Sequence, residues 1–107
     1  MSASPELAEH ITELLAPLGG ISRKRMFGGI ALLRHGAMIA ILSRNNELYL
    51  KSPTPLVGLG AQLSSRRTNK ASGEKREIAL PYYRLPDSVL DDSAALCDWV
   101  RRADKAA

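Results

Sequence analysis

The chain is poor in the residues that usually carry chemistry. Its 107 residues include one cysteine, Cys97, and two histidines, His10 and His35. A single thiol excludes an internal disulfide and a cysteine-based metal cluster, and it fits a reducing compartment. No second histidine or cysteine stands at metal-binding spacing from His10, which is expected as a solvated helix residue. Nucleophile motifs are missing, and Gly28-Gly29 does not match a phosphate-binding glycine loop. Asp91-Asp92 sets two carboxylates side by side, but neighbours on a helix point about 100° apart, which suits capping better than acid–base work. The expectation is a non-enzymatic protein with no cofactor, no metal and no small-molecule substrate. No apolar run approaches the roughly 20 residues that span a bilayer, and the N-terminus opens with Ser, Pro and Glu instead of a basic and then an apolar stretch. A soluble, cytoplasmic protein without membrane partners is expected.

What is present suits one small core. At 45% hydrophobic residues, residues 1–107 make a single domain. Charge is unevenly spread. Residues 1–22 carry three acids and no Lys or Arg, residues 23–84 twelve bases against three acids, and residues 85–107 three bases against five acids. A basic middle between acidic ends implies either an anionic partner or internal pairing of sheet and helices.

Ser4-Pro5-Glu6 predicts a helix start, followed by Leu7, Ile11, Leu14, Leu15 and Leu18 on one face, and Pro17 and Gly19-Gly20 end it. Residues 23–51 then predict a three-stranded antiparallel meander. Met26 to Leu33 forms the first strand, His35-Gly36 a turn, Met38 to Leu42 the second strand, residues 44–47 another turn, and Leu48 to Lys51 the third strand. Gly28-Gly29 inside the first strand reads as a bulge or bend, the alternative being a close ligand approach. Thr54-Pro55 predicts a short helix presenting Leu56, Val57, Leu59 and Leu63 to the core. Ser64 to Tyr83 predicts a second hairpin turning at Ala71-Ser72-Gly73, with Pro81 at an edge or strand end. A last helix begins near Pro86-Asp87 and is recapped at Asp92 or Ser93. It buries Leu96, Trp99, Val100 and Ala103, with Trp99 clamping it to the sheet and Cys97 serving as packing.

Four segments in this order carry a resemblance: Arg25-Met26-Phe27-Gly28-Gly29, Leu48-Tyr49-Leu50-Lys51, Tyr82-Tyr83-Arg84-Leu85-Pro86, and Trp99. Together the chain resembles the N-terminal domain of the TfoX/Sxy competence regulators over almost its whole length, as a stand-alone member lacking the second, helical domain of the larger regulators. The resemblance implies a two-layer α+β fold, an antiparallel five-stranded sheet with helices packed on it in the order α-βββ-α-ββ-α, which matches the periodicity reading. It marks Met26, Phe27, Gly28, Gly29, Tyr49, Tyr83, Pro86 and Trp99 as structural motif residues, and it implies a role in transcriptional regulation.

Two modes of action follow. In the first, a regulatory or adaptor domain works through protein contacts, with a protein partner or as a homodimer, because the apolar run Ala37 to Leu42 needs covering. In the second, the chain binds nucleic acid weakly and without sequence preference. Arg23, Lys24 and Arg25 would then converge with Arg66, Arg67, Lys70, Lys75 and Arg76 into a phosphate-binding stripe, on which Tyr49, Tyr82 and Tyr83 would stack bases. No recognition-helix pattern supports major-groove reading.

Overall fold

The computed structural model describes residues 3–26, 28–68, 73 and 75–106, with only the backbone of residues 65–68 and 75–77. Phe27, Lys70, and Ala71 and Ser72 of the expected hairpin turn lie outside the described residues. Helix α1 (Pro5–Leu15) starts as expected: Ser4 Oγ accepts from the Leu7 amide at 3.3 Å, and proline occupies the first turn, where no amide donor is needed. A 3-10 turn (Ala16–Leu18) and Gly19 at φ +78° end it.

Six strands follow: β1 (Ile21–Met26), β2 (Gly29–Arg34), β3 (Ala37–Leu42), β4 (Leu48–Lys51), β5 (Gln62–Thr68) and β6 (Lys75–Arg84). They form one sheet in the order β1-β2-β3-β4-β6-β5, with all pairs antiparallel. A 3-10 turn (Asp87–Asp91) leads into α2 (Ser93–Ala106). Asp92 caps α2, its carboxylate accepting from the Ala95 amide at 3.0 Å.

The α+β class stands, but the sheet has six strands instead of five. The chain reverses at Gly28, at φ +82°, and Gly29 opens β2 opposite Met26, so the glycine pair marks a hairpin between two strands and not a bulge within one. Gly29 is pinned for a second reason, since a Cβ there would lie 2.7 Å from the Leu42 carbonyl oxygen. The irregularity sits one hairpin later, where the β2–β3 register slips between Leu32 and Leu33 and places Ile39 and Ala40 both in the core. The expected helix after Thr54 is absent. Residues 52–61 form a loop in which Gly58 takes φ +98° and Val57 is 96% exposed, while Leu59 packs on the core. Pro81 lies in β6, between β4 and β5, and not at an edge. It occupies a register break between β5 and β6 and accepts through its carbonyl from the Ser52 amide at 2.9 Å.

Both helices cover the same side of the sheet. Ile11 and Leu15 of α1 and Leu96 and Val100 of α2 join Leu32, Leu42 and Leu50 in one cluster, each at most 1% exposed. Burying a Leu or Val side chain fully stabilises by about 1.5–3 kcal/mol, so this layer dominates the folded state. Cys97 lies in the same cluster, its thiol 3.4 Å from the Leu14 carbonyl. Trp99 is only half-buried and abuts the loop at Gly58, with Arg102 stacked 4.9 Å above its ring. It therefore anchors the loop to α2. His10 is engaged, its Nε2–H donating to the Leu90 carbonyl at 2.6 Å.

Candidate interaction surface

Alternation along a strand sends successive side chains to opposite faces, and the pairing register carries each face across the sheet. Leu32, Ala40 and Leu50 are mutual partners on the helix side. One residue earlier on each strand, or later where the direction reverses, Ala31, Ile41 and Tyr49 form a row on the other side. That row runs from Lys24 on β1 to Arg84 on β6. Leu33 and Met38 pair beside it, and Lys51 pairs with Tyr82.

No helix among the described residues packs on this second face. Leu33, Met38, Ile41 and Tyr49 are half-buried, and none belongs to the core or to the side chains packed against it. The patch is thus apolar, contiguous across three strands and open to solvent, which is how partner-binding surfaces are built. Its borders are cationic. Lys24 and Lys51 are exposed and form no ion pair among the described residues, whereas Arg84 is engaged by Glu47 at 3.3 Å and Asp87 at 3.0 Å.

Two tyrosines on this side of the sheet, Tyr49 and Tyr82, hold their protons more tightly than a free phenol. Burial, then the nearby Glu47 carboxylate, pushes the Tyr49 phenol above its ordinary value of 10.0, with Arg84 pulling partly the other way. Burial alone raises Tyr82, whose hydroxyl donates to Met38 Sδ at 3.7 Å. Tyr82 and Tyr83 are 9% and 8% exposed, too enclosed for base stacking.

The basic residues fall on opposite edges of the sheet. Arg23, Lys24 and Arg25 lie on edge strand β1, with Arg23 and Arg25 paired to helix-side residues and Lys24 to the open side. Arg66 and Arg67 lie on the other edge strand, β5, beside Lys75 and Arg76 on β6. Five strand spacings of about 4.8 Å separate the edges, roughly 24 Å. The structure does not bring the two groups together. Arg23, Lys24 and Arg25 instead line a depression of about 310 Å³ against α1, with Glu9 among its walls. Elsewhere the basic middle pairs with the acidic end: Arg34 meets Asp104 at 3.6 Å, and Arg84 meets Asp87.

The open row was readable in principle, since Leu48 and Leu50 inside imply Tyr49 outside. What hid it was the bulge in β3, which makes the strand look apolar on both faces. No group of three or more His, Cys, Asp or Glu able to hold a metal occurs among the described residues. No described helix is long and apolar enough to cross a membrane.

The sheet thus has one helix-covered face and one that carries no helix among the described residues. Residues 13–107 match the family model of the TfoX N-terminal domain, and the chain belongs to that family. The family is regulatory and non-enzymatic, and this is a regulatory domain of TfoX type. No curated protein matches the chain.

Proposed function

We propose that the chain is a non-enzymatic regulatory domain that binds another protein through the helix-free face of its sheet, the partner offering an apolar patch edged by acidic residues. One observation carries this reading: the half-buried side chains of Ile41, Tyr49, Leu33 and Met38, set around the buried Ala31 and bordered by Lys24 and Lys51, which form no ion pair among the described residues. Apolar area supplies affinity, and the lysines select acidic surroundings. A second copy of the chain fits less well, because it brings the same lysines while its Glu47 is already held by Arg84. Weak nucleic-acid binding by the basic edge strands is the second reading, resting on Arg23, Lys24 and Arg25 along β1.

Light scattering, run beside titration of a labelled duplex and single strand at low and physiological salt, separates these readings. A monomer mass with no salt-sensitive DNA binding is the expected result. A dimer mass transfers the face to self-association. Micromolar DNA binding that falls steeply with salt, and is lost on changing Arg23, Lys24 and Arg25 to glutamine, establishes the second reading instead.

A further inference from the structure

A cavity of about 530 Å³ opens between the end of α2 and the end of the sheet where β2 turns into β3. Its walls are mostly apolar, with Ala37, Ile39, Leu50, Pro53, Val100 and Ala103 among them. Leu50 and Val100 are buried, so the floor is the core itself. The polar side chains are few: the cations Arg34 and Lys51, with His35 and Ser52, against one acid, Asp104. An apolar recess of this size with a few polar groups matches the make-up of a small-molecule site.

Arg34 is incompletely satisfied. Its Nη2 donates to the Leu18 carbonyl at 2.9 Å, its Nη1 reaches the largely exposed Asp104 only at 3.6 Å, and its Nε is buried without an acceptor among the described residues. A buried donor of a cation is relieved best by an anionic acceptor, and a long, solvent-exposed ion pair is easily exchanged for a closer one. Lys51, exposed and without an ion pair among the described residues, adds a second positive charge.

We propose that this cavity binds a small amphipathic carboxylate, its head at Arg34 and Lys51 and its alkyl or aryl body against Ile39, Leu50 and Val100. An organic cation meets two cations there against one acid. A neutral apolar molecule offers Arg34 Nε no acceptor and Lys51 no counter-charge. The site is independent of the protein-contact reading, although Met38 and Lys51 also belong to the open face and put an occupant beside it.

Calorimetry on the full chain tests this with sodium decanoate below its micelle threshold, and with decanol and acetate as comparators. Saturable decanoate binding at least about tenfold tighter than either comparator is expected, since charge and apolar body act together. Lys51→Gln should weaken it by about tenfold. Asp104→Asn should tighten it severalfold by freeing Arg34, and Ala37→Trp, at an exposed strand position that tolerates an aromatic, should abolish it. Decanol binding as tightly as decanoate, affinity unmoved by both Lys51→Gln and Asp104→Asn, or no saturable binding would each overturn the proposal.

Discussion

Two neighbouring rows of one sheet meet on β2, where Leu32 and Ala31 are both buried, and part on β3 and β4. Leu32, Ala40 and Leu50 are at most 1% exposed beneath two helices, whereas Ile41 and Tyr49, one residue away on β3 and β4, face solvent half-covered. Strand chemistry does not separate them, for both rows are apolar. What differs is that α1 and α2 each carry an apolar stripe and both lie on one side. An apolar row left without such a cover is stable only while the other layer holds the sheet, and so it is free to serve recognition.

The sharpest way to break that contrast is truncation on each side. Leu50→Ala should cost about 2–5 kcal/mol in urea unfolding, the range for a buried leucine, while Ile41→Ala should cost no more than about 1 kcal/mol. Equal losses would mean that the open face is covered after all. Next in size is Gly29→Ala. Its added Cβ would lie 2.7 Å from a backbone oxygen, and the overpacking should cost about 1–3 kcal/mol by the same measurement. At Gly36, φ +83° strains a side chain although nothing lies within 4 Å, so Gly36→Ala should cost only about 1 kcal/mol.

Asp92→Ala, which removes the α2 cap on the covered side, should lower stability by about 1 kcal/mol. The smallest effect is alkaline. Tyr49 and Tyr82 hold their protons more tightly folded than unfolded, so their contribution is intact below pH 10.0 and is lost as pH rises through the higher folded values. Melting temperature should fall above that pH for the natural chain and fall less for Tyr82→Phe. An unchanged alkaline slope in the variant would remove Tyr82 from this account.

Much of the covered layer was legible in the residues. Ser4-Pro5 and Asp92 announced the helix starts by their capping chemistry, Leu7 to Leu18 announced a buried stripe, and His35-Gly36 and Asn46 supplied turns whose positive φ values the structure shows. The exposed, charged strand β1 was not legible, because Ile21 to Met26 has no apolar alternation to reveal it. Gly28-Gly29 misled for the same reason: with no strand recognised before it, a reversal looks like a defect within one strand. The loop at 52–61 took the place of a helix because Gly58 gains a left-handed conformation against Trp99, a contact made only in the tertiary fold. The cavity was equally hidden, since Arg34, Lys51 and Asp104 come from three distant segments.

The central claim is that partners meet the helix-free face. Photocrosslinking in cells from position 41, compared with position 13 on the exposed side of α1, tests it most directly. The account predicts a discrete protein adduct from position 41 that disappears when Leu33→Lys is added, and none from position 13, with melting of the Leu33→Lys chain near that of the unaltered one. An adduct from position 13 alone, or one from position 41 that survives Leu33→Lys, would contradict it.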